Sequence, residues 1–248
     1  MDIRLFTRSV VLVTEKNMRI YYYKGAVVIF GLLFPFIMFL TFFIGRNINL
    51  LLFFPAFLGM MLFFSSSSTG PLITPWEKRE KTYERLLSLP VTLESIIIGD
   101  ILAGSLFGIV ITTIVWGAGS VLLGLPLENP GLLAVTMLLG AFTFAALGTL
   151  LSSPAMNNPS NVMMLSNLIR LPLIFVSGVF IPLNQLESWE WVLTSLSPLT
   201  YLVDLFNGAI NGNAVYSPAL DVSILVLVIL VFIGGAKLIQ QWNLSKGL

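Results

Sequence analysis

Apolar runs of bilayer length recur along this chain, and that feature removes most soluble folds from consideration. A crossing helix needs about 20 mostly apolar residues, and a closed hydrogen-bonded element is required because hydrocarbon offers the backbone no partners. Six stretches meet that length: 26–44, 50–73, 96–123, 131–151, 162–181 and 219–239. Turn-forming segments separate them, among them 45–49 and Gly124-Leu-Pro-Leu-Glu-Asn-Pro130. The expected fold is all-α, a polytopic membrane protein built as one transmembrane domain over residues 1–248.

Charge and reactive residues narrow the function. With 10% charged residues and a net charge of +1, no basic surface argues for nucleic acid. The chain has no cysteine and no histidine, which excludes disulfides, thiol ligands and the commonest general base and metal ligand. No dense carboxylate cluster takes their place, so an intramembrane enzyme is the weakest class and no catalytic, metal or cofactor residue is assigned. Membrane lipid is the one partner that composition alone demands.

Basic residues near helix ends are kept in the cytoplasm. Arg4, Arg8, Lys16, Arg19 and Lys24 precede the first stretch; Lys78, Arg79, Lys81 and Arg85 lie between the second and third; Lys237 and Lys246 close the chain. The other side has Arg46 alone, with Glu187, Glu190 and Asp204 in the connection after the fifth stretch. Both termini are therefore expected in the cytoplasm of a cell-membrane protein, in keeping with six crossings. The charged first 24 residues lack the short apolar core of a removable leader.

Three segments do not span. Residues 1–24 carry Phe6, Val10 and Val13 at helical spacing and then Tyr21, Tyr22 and Tyr23, which suits an interfacial helix anchored at headgroup level; a frayed basic tail is the alternative. Residues 77–90, EKREKTYERLLSLP, hold seven charges within fourteen positions. Glu80 and Glu84, and Lys81 and Arg85, are four apart, so opposite charges interleave along a short helix, and Leu86, Leu87 and Leu89 beside that charge suggest a docking tip. In 183–211, Leu186, Trp189, Leu193 and Leu196 share one face and Glu187, Glu190 and Thr194 the other, as expected of a re-entrant segment or of an interfacial loop.

Within the apolar stretches, Arg170 stands out, because a charge there marks a cavity, an ion pair or a substrate path unless it snorkels to the interface. The hydroxyls of Ser65 to Thr69 line a path or bond back to their own helix. Gly104 and Gly108 form a G-x-x-x-G that permits close helix contact, and Pro35, Pro55 and Pro172 are expected to kink their helices.

Two motifs carry a resemblance. Glu77 to Asp100 is similar to the segment after the second helix of ABC-2 type transporter permeases, where E-R-x-x-G-T-x-E-x-L-L-x-x-P precedes the third helix. The sequence S-G-V-F-I-P-L followed by W-x-W-V-L-T-S-L-S-P-L-T-Y-L-V-D resembles that family's connection between helices five and six. The nearer likeness is to daunorubicin-resistance-type exporter permeases. The resemblance implies a dimer, expected to be a homodimer, driven by a separate ABC ATPase subunit that grips a cytoplasmic coupling segment. It assigns that coupling to Glu77, Arg79, Glu80, Thr82, Glu84, Leu86, Leu87 and Pro90, and makes Arg170, Ser177, Gly178 and Pro182 candidates for the pathway or its gate. Lys81 stands where the pattern has Gly, and is expected to extend the coupling helix. No G-x-x-x-x-G-K-[ST] occurs, so ATP hydrolysis is expected in the partner. The resemblance implies export of a hydrophobic or amphipathic substrate: a drug, lipid or glycolipid. The alternative is an ion-coupled transporter or channel without an ATPase, using Asp100, Arg170, Asp204 and Asp221.

Overall fold

The computed structural model describes residues 3–44, 50–154, 158–180 and 188–246, and every regular element among them is helical. Helix α1 (Ile3–Asn17) continues through one π-helical turn (Met18–Tyr22). It is followed by α2 (Gly25–Phe43), α3 (Leu50–Ser67), α4 (Gly70–Arg79), α5 (Thr82–Leu87), α6 (Leu93–Leu123), α7 (Pro130–Ser152), α8 (Pro159–Val176), α9 (Ser188–Ser195), α10 (Pro198–Asn211) and α11 (Pro218–Ser245). Local chemistry sets the starts. Proline opens α7, α8 and α11, where its missing N–H costs nothing, and the side chains of Asn129, Asn158 and Ser217 accept the free N–H groups of Leu132, Ser160 and Leu220.

Five described stretches are long and apolar enough to cross a membrane: 51–79, α6, α7, α8 and α11. Five of the six expected stretches are among them, and the first, 26–44, is taken up by the 19-residue helix α2. The most apolar window of the 51–79 stretch is 78% buried within the protein and that of α11 only 11%. An apolar helix without a polar face belongs in the core or in lipid; here α3 takes the core and α11 the periphery. Phe63 of α3 meets Phe144 of α7 edge to face, with ring centroids 4.7 Å apart.

Helix α3 stops at Ser67, inside the apolar stretch 50–73, and α4 starts at Gly70. Ser65, Ser67 and Ser68 donate their hydroxyls back to the carbonyls of Met61, Phe63 and Ser65. Pro71 has no N–H to offer Ser67, four residues earlier, so the hydrogen-bond ladder ends there. The G-x-x-x-G of α6 lies on this region: a Cβ at Gly104 would sit 2.7 Å from the Ser66 carbonyl oxygen, and one at Gly108 would collide with the Ser66 hydroxyl. Its small residues are thus a contact face between α3 and α6.

Helix α1 is packed onto α6. Val10 and Val13 are buried, and a Cβ on Gly99 would lie 2.6 Å from Val13 Cγ1. The tyrosine trio is not a headgroup belt, because Tyr21 and Tyr22 turn inward, the latter 5.1 Å from the Phe107 ring, and only Tyr23 is exposed. In the segment after α8, α9 and α10 are both too short to span. Trp189, Leu193 and Leu196 are exposed while Thr194 is buried and bonds the Glu190 carbonyl, so the apolar face of α9 points outward. Helix α10 is buried along most of its length and packs on α3, α7 and α11. Leu186 and Glu187 lie outside the described residues.

Candidate coupling platform and buried arginine

One end of the bundle is tied together by side chains whose sequence positions are far apart. Lys16 at the end of α1 pairs with Glu77 at the end of α4, and Glu77 is 4% exposed. The next residue, Asn17, donates to Asp100 of α6 at 2.6 Å, and Thr14 donates to the Gly99 carbonyl at 3.2 Å. From α5, buried Tyr83 donates to Gln240 of α11 at 3.3 Å. Gln240 and Asn243 in turn donate to the side chain and backbone of Ser153, just past α7, at 3.2 and 2.7 Å. Lys237 of α11 closes on Glu94 of α6 at 3.0 Å. Burial, followed by the negative charges of Asp100 and Glu77, holds the Tyr83 hydroxyl above the ordinary phenol range, so it stays a donor at physiological pH.

On these roots sits an exposed surface. Arg79, Glu80, Lys81, Thr82, Glu84, Arg85, Leu89 and Pro90 face outward; Leu86 and Leu87 are half-buried. Leu86 lines a cleft of about 300 Å³ with Lys16, Tyr21, Trp76 and Glu80. Thr82 also donates to the Glu77 carbonyl at 3.1 Å, folding the start of α5 back onto α4. The expected coupling residues therefore divide: Glu77 is an internal anchor, and Arg79, Glu80, Thr82, Glu84 and Pro90 lie at the surface.

Lys81 does not extend the helix. Its φ of 56° puts it in the left-handed region, the one non-glycine residue there among the described residues, and the chain turns at this point between α4 and α5. The position that the family pattern fills with Gly keeps a glycine-like backbone under a lysine, at a cost of about 1–2 kcal/mol. Helix propensity was outweighed by the Glu77 and Tyr83 anchors on either side.

Lys16, Asn17, Tyr83 and Gln240 were not legible as site residues. No spacing rule joins residues 61 to 157 positions apart, although a lone tyrosine within a charged run was a signal that something there is buried.

Arg170 of α8 points into the protein and is 5% exposed. Its Nη1 donates to the Ser67 carbonyl at 2.8 Å, the group that Pro71 leaves without a partner, and so it closes the C-terminus of α3. Nη2 reaches Asn167 Oδ1 at 3.3 Å, and the guanidinium carbon lies 5.5 Å from the Phe64 ring centroid. Nε has no hydrogen-bond partner, and no carboxylate pairs with the group among the described residues. A charge at a helix centre costs about 2.5–3.5 kcal/mol on insertion scales. The negative end of α3 returns about 0.3–2 kcal/mol of that. Snorkelling is excluded by the burial.

Ser177 and Gly178 are buried at the turn that ends α8, where the Ser177 hydroxyl donates to the Ile174 carbonyl at 2.6 Å. Pro182 lies outside the described residues. The four ionisable groups of a self-sufficient transporter do not form one relay: Asp100 bonds Asn17, Arg170 bonds Ser67, Asp204 of α10 bonds the backbone of Val215 and Tyr216, and Asp221 of α11 is buried. Asp204 accepts the N–H groups of Val215 at 2.9 Å and Tyr216 at 2.8 Å, while neither carboxyl oxygen of Asp221 has a hydrogen-bond partner among the described residues. Among the described residues, no cluster of three or more His, Cys, Asp or Glu could hold a metal ion.

A multi-pass helical membrane domain, with a charged platform rooted in five of its helices and a buried cation beside a broken helix, is a transport domain in class. The ABC-2 type transporter family model matches residues 8–211, most of the chain. The chain belongs to that family and is a permease of an ABC transporter. No curated protein matches it.

Proposed function

We propose that this chain is the permease subunit of an ATP-driven exporter of a hydrophobic or amphipathic substrate. Two copies form the pathway in the cell membrane with both termini in the cytoplasm, and separate ATPase subunits hold the platform at 77–90. One observation carries the reading: the exposed surface from Arg79 to Pro90 is seated on Glu77 and Tyr83, which bond to α1 and α11. A push on that surface would reach the first and last helices of the chain through short, directional contacts. Transport driven this way requires that ATP-bound and ATP-free partners hold the platform in two arrangements with different affinity.

The test is co-purification from native membranes, comparing the parent with an Arg85→Glu, Leu89→Asp variant. Both positions are exposed, so expression and thermal stability should be preserved. A stoichiometric ATPase with the parent and its loss with the variant is the expected result. Absence of an ATPase from the parent, in the presence of crosslinker and an ATP analogue, refutes the reading.

A further inference from the structure

Beside Arg170 the fold leaves a cavity of about 350 Å³ between α2, α3 and α8, within the size range of ligand pockets. Phe34, Phe64, Met163 and Leu171 give it apolar walls; Ser68, Asn167 and Arg170 supply its polar groups. The capping of Ser67 does not by itself account for an arginine. A neutral donor would close α3 without burying charge, and the oxygens of Ser67 and Asn167 carry only partial charges. At the cavity wall the guanidinium brings a positive charge that neither oxygen neutralises, on a planar fork suited to oxyanions.

We propose that this cavity receives the acidic head of an amphiphile, phosphate- or carboxylate-bearing, with Arg170 meeting the charge and Phe34, Phe64 and Leu171 lying along the chain. The inference rests on the permease reading for its biological sense and narrows its substrate class to anionic amphiphiles.

The full chain, purified in dodecyl maltoside, is titrated with radiolabelled dodecyl phosphate, with dodecanol and with inorganic phosphate. Dodecyl phosphate should bind saturably and at least tenfold more tightly than either comparator. Arg170→Gln should abolish the preference over dodecanol. Asn167→Asp, which places a carboxylate against the guanidinium, should hold or raise the unfolding temperature and abolish the preference as well; this second variant keeps the test intact if Arg170→Gln does not fold. Equal binding of dodecyl phosphate and dodecanol, a preference that survives in Asn167→Asp, or inorganic phosphate binding as tightly as the amphiphile, overturns the proposal. In phosphatidylcholine vesicles, displacement by added phosphatidylglycerol assigns the site to a bilayer lipid, and its absence to a free amphiphile; both support the acidic-head chemistry. No ATPase enters the readout, so a failure of the permease reading shows in the co-purification and not here.

Discussion

Tyr83 of α5 donates its hydroxyl to Gln240 of α11 at 3.3 Å, joining the exposed platform to the chain's last crossing helix. The ring is buried and the phenol is held in its protonated form, so the contact persists across physiological pH. Gln240 passes the connection to Ser153 at the end of α7. The platform is thus tied to the ends of two long helices.

Tyr83→Phe keeps the packing and removes the bond. With Gln240 Oε1 left without this donor, stability should fall by about 1–3 kcal/mol. Thermal unfolding in detergent measures that loss, and Gln240→Leu added to Tyr83→Phe should recover part of it.

Lys81→Gly relieves the left-handed strain. A gain of about 1 kcal/mol is expected, whereas Lys81→Val should lose stability because a β-branched side chain tolerates positive φ poorly. The same unfolding assay ranks the three chains.

Two glycines of α6 should respond oppositely to alanine. Gly104→Ala drives a methyl to 2.7 Å from the Ser66 carbonyl oxygen and should cost about 1–3 kcal/mol. Gly117 has nothing within 4 Å of such a methyl, and Gly117→Ala should be neutral or add up to about 1 kcal/mol through helix propensity.

The burial of Asp204 predicts a pH dependence. Burial raises Asp204 above the usual carboxylate range, while the Val215 and Tyr216 N–H groups oppose the rise. A raised acid binds its proton more tightly folded than unfolded, so its stabilisation is present below the unfolded value near 4 and drains as pH climbs through the folded value. Asp204→Asn, which removes the titrating acid, should therefore flatten the decline. The same variant should lose about 1–3 kcal/mol at every pH by placing an amide against the N–H groups of Val215 and Tyr216. Unfolding temperatures from pH 4 to 9 measure both effects, and a decline of unchanged slope in Asp204→Asn would refute the assignment.

Much of this architecture was legible because bilayer length and the absence of charge are one-dimensional properties. Helices α6 and α7 follow from them within three residues, α11 runs six residues past its expected end at 239, and the charged run at 77–90 announced a non-spanning segment. The break at Ser68 was less so: Gly70-Pro71 after four serines signals it, yet the surrounding residues are apolar enough to read as one stretch. Arg170 could be recognised as costly but not as the donor that replaces Pro71's missing N–H, a relation across 103 residues. The two faces of α9 were legible from spacing, but not that the apolar one points outward, as Trp189 and Leu193 do. Lys81 shows the opposite limit, a local preference overruled by anchors that only the folded chain brings together.

The most direct test of the coupling account uses the absence of cysteine from this chain. A single Glu84→Cys on the exposed platform, labelled with a benzophenone maleimide in native membranes, should crosslink to an ATPase, with a yield that changes on adding ATP. Val121→Cys, exposed near the far end of α6, should not. Crosslinking of the Glu84 position to lipid alone, or equal ATPase capture from both positions, would contradict the account.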